Sequence, residues 1–283
     1  MIVGHLPGTV VTLTVVGCEK WKTGCYECPN KKAYPASWLI DRSKKNYVEK
    51  KVIFNGVKNL TLVTPSKWLA GLVSQSFLSN YSVEVINNGV NTEVFKPMGS
   101  AHVREKYGVG DRRLILGVAY QWSPRKGLND FITLSKLLGE DYQIILVGLD
   151  DKQQHKLPAN IRGIKRTENV KVLAEIYAAA DVFVNPTWQD NFPTTNLEAM
   201  ASGTPVVTYN TGGSPEALDS QTGFVVDKGD VNGLKTAIEH IFETKVESFE
   251  MPCRQRALNL FKTEHSSAKY LKLYEEKITD YLL

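Results

Sequence analysis

Apolar residues in this chain fall into short continuous runs, separated by longer stretches in which they recur at helical spacing. After residue 110 the runs are Leu114-Ile115-Leu116-Gly117-Val118-Ala119, Gln143-Ile144-Ile145-Leu146-Val147-Gly148, Val182-Phe183-Val184-Asn185 and Val206-Val207-Thr208-Tyr209. Runs of that length, apolar on both faces, predict strands covered by helices on each side. Shorter signals predict a strand at 160–165 and an edge strand at Gly223-Phe224-Val225-Val226. Helical spacing predicts helices at 128–138, 171–180, 231–242, 252–260 and 266–281, with Pro252 opening the fourth. The first 93 residues carry the same rhythm more sparsely. Strands are expected at 9–13, 60–64 and 83–86, with Ser66 capping a helix that runs to about residue 78 and a turn at Asn87-Asn88-Gly89. Strands alternating with helices predict an α/β fold with parallel sheets. Pro97-Met98-Gly99-Ser100 reads as a linker, so the chain divides into a domain at 1–95, a domain at 96–264 and a terminal helix at 265–283.

One strand–loop–helix carries the strongest chemical signal. After the run ending at Asn185-Pro186, the loop Trp188-Gln189-Asp190-Asn191-Phe192 leads to Pro193, suited to a first helical position. Leu197, Met200 and Ala201 share a face, and Gly203 and Pro205 stop the helix. Such a loop points free backbone N–H groups out of the carboxyl edge of a sheet, where open α/β folds hold anions. Asp190 and Glu198, eight positions apart, bracket the helix start. Spacing alone favours structural roles for both. Thr195-Asn196-Leu197-Glu198 fits a capping box, and Asp190 is a favourable charge near a helix N-terminus.

Two further loops have the same placement. Ser123-Pro124-Arg125-Lys126-Gly127 follows the first strand of the second domain and can bring two cations over a diphosphate, although a solvated Arg-Lys turn is common. Thr211-Gly212-Gly213-Ser214-Pro215-Glu216 is a glycine-rich entry to a helix, whose N–H groups can face an anion. Cys18, Cys25 and Cys28 include a Cys-x-x-Cys spacing but leave a tetrahedral zinc site one ligand short. Three reduced thiols are the slightly favoured reading. Asp150-Asp151 supplies too few oxygens for a divalent ion, and no Asp-x-Asp occurs. Trp38 and Trp68 read as packing or wall residues; Trp122 is the one tryptophan in the loop that precedes Lys126.

Composition narrows the classes. A content of 42% hydrophobic and 23% charged residues is that of a globular protein. The net charge of +4, without a basic tract, gives no reason to expect nucleic acid. No run spans a bilayer, the first residues lack a signal-peptide pattern, and four cysteines without one point to a reducing compartment. The cytoplasm, the inner membrane surface included, is the expected location.

The stretch Asp190-Asn191-Phe192-Pro193-Thr194-Thr195-Asn196-Leu197-Glu198-Ala199-Met200-Ala201-Ser202-Gly203-Thr204-Pro205-Val206-Val207 resembles the E-x7-E signature of family 4 retaining glycosyltransferases of the GT-B fold. Pro124-Arg125-Lys126-Gly127 is similar to that family's diphosphate-binding segment, and Gly212-Gly213-Ser214-Pro215-Glu216 to its GG-x-PE segment. Residues 63–70 and 85–95 are similar to its domain junction. The resemblance implies two Rossmann-like doubly wound domains, the first incomplete, with the last helix crossing back to it. It implies a nucleotide-diphosphate sugar as donor and a glycan or lipid-linked acceptor, with no cofactor or metal. Lys126 and Arg125 would neutralise the diphosphate, assisted by N–H groups of Asn191, Phe192, Pro193, Thr194 and Thr195 as a segment, Pro193 having none of its own. Asp190 would lie by the sugar, Glu198 by the ribose, Gly212 and Gly213 by the phosphates, and Arg166 by the base.

The chain departs from the pattern in three places. Asp190 stands where the family has Glu, Ala119-Tyr120 stand where many relatives carry a Gly-Arg pair, and Thr14 follows directly where relatives have a His-Asp pair and loop. The family's first-domain histidine has no counterpart, and His5 is not assigned to it. Two other readings fit the sequence: a nucleotide-sugar epimerase, and a non-catalytic nucleotide-sugar-binding subunit.

Overall fold

The runs of apolar residues become strands because only a strand can be apolar on both faces within four to six residues and still pair all its backbone groups. The computed structural model describes residues 2–4, 18–29, 40–99 and 101–282, and the chain forms two units, one ending at Ile86 and one beginning at Asn87.

Among the described residues, the first unit holds a parallel sheet of β1 (Ile2–Gly4), β2 (Thr61–Thr64) and β3 (Ser82–Val85), in that order, with Val63 opposite Gly4 on one side and Glu84 on the other. The helices are α1 (Ser43–Asn55) and α2 (Lys67–Val73). Leu60, Leu62, Val73 and Leu78 form a small core beside Phe54, Val57 and Tyr81. Ser66 caps α2 as expected, its Oγ accepting from the N–H of Leu69 at 3.1 Å. The helix stops five residues short of the expected end. The Ser74 and Ser76 hydroxyls turn back to the carbonyls of Gly71 and Val73, at 2.9 and 2.8 Å, and compete with the helical ladder. The strand expected at 9–13 lies outside the described residues.

In the second unit the elements are α3 (Ala101–Lys106), β4 (Arg113–Val118), α4 (Leu128–Leu137), β5 (Tyr142–Val147), α5 (Asp151–Gln154), β6 (Ile161–Ile164), α6 (Val170–Ala179), β7 (Val182–Asn185), α7 (Thr194–Ala201), β8 (Val206–Tyr209), β9 (Gly223–Val226), α8 (Val231–Glu243), α9 (Glu247–Leu260) and α10 (Thr263–Leu282). Its described strands form a parallel sheet ordered β6-β5-β4-β7-β8-β9. Every residue of β5, β7 and β8 is buried, while β9, the expected edge strand, is half open. The chain winds outward from β4 to β6, then returns to the other side of β4 and winds outward from β7 to β9. Ile115 pairs with Val182 and Leu116 with Phe183 at this reversal. The crevice beyond the carboxyl ends of two such strands is the ligand position of doubly wound sheets.

Residues 87–95 pack with the second unit. Val90 exchanges backbone bonds with Phe261 and Thr263, and the Arg254 guanidinium donates to the carbonyls of Phe95, Thr92 and Ala201 at 2.7, 2.9 and 2.8 Å. The helix expected to open at Pro252 begins at Glu247 instead. Buried Phe249 anchors its first turn, and Pro252 lies inside, forgoing the bond its N–H would have made.

Candidate functional site

Three loops meet at the carboxyl ends of β4, β7 and β8. The loop after β4 contains a 3₁₀ turn at Pro124–Lys126, ended by Gly127 at φ 79°. A Cβ on Gly127 would stand 2.2 Å from the Pro186 carbonyl oxygen, so only glycine lets this loop lie against the exit of β7. The N–H of Trp188 donates to the Arg125 carbonyl at 2.8 Å, stitching the two loops together. Across that seam the Lys126 ammonium meets the Asp190 carboxylate, Nζ to Oδ2 2.6 Å, with both side chains partly exposed.

The third loop arrives on the same residue. The Gly213 N–H donates to the Asp190 carbonyl at 3.2 Å. Gly212, at φ 57°, passes so close that a Cβ would lie 1.8 Å from that oxygen. Thr211 Oγ1 donates to the Trp188 carbonyl at 3.0 Å. The sequence-predicted Lys126, Asp190, Gly212 and Gly213 are thus brought together.

The helix start differs in detail from expectation. Pro193 is the N-cap, extended at φ −69° and ψ 120°, not the first helical residue. It has no side-chain acceptor, and the N–H groups of Thr194 and Thr195 lie in the first turn, where no intrahelical partner exists. Thr194 is exposed and Thr195 and Asn191 are partly so, while Phe192 is buried. Phe192 packs on Phe261, with ring centroids 5.8 Å apart, and its carbonyl accepts from Asn88 Nδ2 at 3.1 Å. Sequence reasoning missed Asn88, which reads only as a turn residue. Buried Asn196 accepts from Asn185 Nδ2 at 2.8 Å and donates to Ser214 Oγ at 3.0 Å, locking α7 to β7 and to the Gly212–Gly213 loop.

Glu198 does not close a capping box. Its Oε2 accepts from the Tyr177 hydroxyl at 2.9 Å. Burial raises its carboxyl above the ordinary range, and the Tyr177 bond pulls it part of the way back. Tyr177, on α6, was read only as a helical position.

Other candidates fall elsewhere or have other work. The Arg125 and Arg166 side chains are exposed, and Arg166 lies beyond β6, the strand at the far edge of the sheet. Trp122 is buried, donating its indole N–H to the Val147 carbonyl at 2.9 Å and packing edge-on against Phe131. Asp150 and Gln153 form a capping box on α5, and Asp151 pairs with Lys165. Cys18, Cys25 and Cys28 are free thiols. Burial, then Cys28, pushes the Cys25 thiol up to about 11. Among the described residues, no group of three or more His, Cys, Asp or Glu side chains is placed to hold a metal ion.

A partly exposed ammonium, a run of glycine-bordered loops and uncapped first-turn amides can together hold a multiply charged anion. Residues 112–244 match the family model described as glycosyl transferases group 1. Over that stretch the chain is similar to group 1 glycosyltransferases. It is 24% identical to the putative glycosyltransferase YtcC of Bacillus subtilis (strain 168), over 88% of this chain and 70% of that protein. It is 31% identical to the GDP-mannose-dependent alpha-(1-6)-phosphatidylinositol monomannoside mannosyltransferase of Mycolicibacterium smegmatis, over 61% of this chain and 50% of that one. The chain therefore spans 70% of the length of the first of these relatives and half of the second. Among solved structures, sucrose-phosphate synthase from Thermosynechococcus elongatus superposes with a TM-score of 0.73 at 21% identity, covering 87% of this chain and 65% of the other. Anabaena Alr3699/HepE in complex with UDP and glucose gives 0.71 at 19% identity, covering 82% and 67%. The fold is GT-B, as its two parallel α/β units lead one to expect. Among the described residues, no helix is long and apolar enough to cross a membrane.

Proposed function

We propose that the chain transfers a sugar from a nucleotide-diphosphate sugar to a glycan or lipid-linked acceptor, with retention of anomeric configuration. The observation that carries this reading is the Lys126–Asp190 contact, which sets an ammonium beside the uncapped start of α7. Departure of a nucleoside diphosphate builds negative charge on the leaving oxygen. Fixed donors and a cation aimed at that oxygen lower the barrier without reorganising at the moment of reaction. Lys126 and the first-turn amides of α7 take the diphosphate, the Gly212–Gly213 loop closes over it, Glu198 accepts from the ribose and Asp190 lies by the sugar. Arg125, exposed in the same loop, is a secondary cation, and Arg166 reaches the base only at the far end of the site. The acceptor attacks from the leaving-group face, and no metal or cofactor takes part. UDP and UDP-glucose in the Anabaena structures support the donor class. The expected location is the cytoplasm, with peripheral contact to the inner membrane surface when the acceptor is a lipid.

Donor hydrolysis or transfer to an acceptor extract, assayed over a set of nucleotide sugars, tests the roles. Lys126→Ala and Glu198→Ala should each lower turnover by about a hundredfold or more. Full activity in both variants would refute the assignment.

A further inference from the structure

Glu198 is anchored by a residue that the sequence hides. Tyr177 is wholly buried, and its ring is wedged between Phe95 and Phe183, at centroid distances of 5.7 and 5.4 Å. Its backbone carbonyl accepts from Thr204 Oγ1 at 2.7 Å, so backbone and ring are both fixed. Among the described residues the hydroxyl then reaches one polar atom, Glu198 Oε2 at 2.9 Å. The second carboxylate oxygen of Glu198 has no partner among the described residues. A partly buried carboxylate with one oxygen clamped and the other open can accept from a ligand hydroxyl at little entropic cost.

We propose that Tyr177 is a positioning residue for the donor. It holds Glu198 in the one orientation from which its free oxygen meets the vicinal hydroxyls of the ribose. This rests on the ribose role of Glu198 proposed above. The alternative is a structural one, in which Glu198 merely satisfies a buried phenol. Removing the hydroxyl distinguishes them. Without it the carboxylate loses its stabilising bond, so its pKa climbs further above the ordinary range. The ionised form that accepts from ribose is then lost at a higher pH as solutions are acidified.

The test is calorimetric binding of UDP, GDP and ADP, followed by the 2′,3′-dideoxy form of whichever binds most tightly, from pH 5 to 8. The protein is the full chain as wild type, Tyr177→Phe and Glu198→Gln. In wild type the ribose form should bind more tightly than the dideoxy form, and Glu198→Gln should erase that preference. Tyr177→Phe should reduce it by about tenfold or more, as expected for one hydrogen bond to a charged group, with the loss deepening as the pH falls. If Glu198→Gln erases the preference but Tyr177→Phe keeps it whole at every pH, the positioning role is overturned and the ribose role stands. If Glu198→Gln keeps it, the ribose role fails and this proposal falls with it. Should Tyr177→Phe not fold, Thr204→Val serves instead. It removes one of the two bonds on the Tyr177 carbonyl, the other coming from the Ala180 N–H at 3.2 Å, and should lose part of the same preference; an undiminished preference there also overturns the proposal.

Discussion

Asp190 is the residue on which the site turns, and its contacts divide into two kinds. Its carbonyl is held from below by the Gly212–Gly213 backbone, while its carboxylate reaches Lys126. The ion pair is partly open to water, so it adds little to stability, about 0–1 kcal/mol. Its effect is on charge: the carboxylate neutralises the ammonium and repels an incoming phosphate. Asp190→Ala should therefore bind a nucleoside diphosphate about three- to tenfold more tightly, a change of about 1 kcal/mol, while turnover falls. Calorimetry and initial rates on one preparation check both; weaker binding with unchanged turnover would contradict the role given to Lys126. Lys126, Asp190 and the glycine pair were legible in the sequence because each sits in a loop whose chemistry is local. Tyr177 was not. Its hydroxyl bond to Glu198 spans 21 positions, and along the chain the residue looks like one more member of an apolar stripe. Glu198 misled for a related reason, since the Thr195–Glu198 spacing of a capping box is also that of a carboxylate pointing away from the helix end.

The loops between elements are set by backbone clearance as much as by side chains. Gly212 combines a left-handed φ of 57° with an approach that would put a Cβ 1.8 Å from the Asp190 carbonyl oxygen. Gly212→Ala must strain the turn and push the loop off Asp190, at a cost of about 1–3 kcal/mol. A Tm lowered by several degrees and weaker nucleotide binding are expected, measured by thermal melts with and without UDP. An unchanged Tm would mean that the loop relaxes freely. The elements themselves were read well where burial was two-sided. β5, β7 and β8 are buried throughout and mostly apolar, so their runs fell close to the observed bounds. α1 left no such trace. None of its residues is buried, Val48, Val52 and Ile53 face solvent, and its lysines blur any apolar stripe. The start of α9 was misplaced because Pro252 marks a helix opening by local rule, whereas the packing of Phe249 extends the helix ahead of it.

At the scale of the molecule, the second unit carries the argument. Its strand order reverses between β4 and β7, which places the Lys126 loop and the start of α7 side by side although 64 positions separate Lys126 from Asp190. That topology follows from the continuous apolar runs, and the family match over residues 112–244 falls on the same stretch. The first unit was less legible, since its described sheet has three short strands and part of its expected pattern lies outside the described residues. The central claim is that the opening amides of α7 and the Lys126 ammonium form the seat for a diphosphate. A crystal structure of the chain with UDP at millimolar concentration measures this most directly. The account predicts the β-phosphate within hydrogen-bond distance of Lys126 Nζ and of the Thr194 or Thr195 N–H, with the ribose against Glu198. A nucleotide bound elsewhere on the chain, with that seat empty, would contradict it.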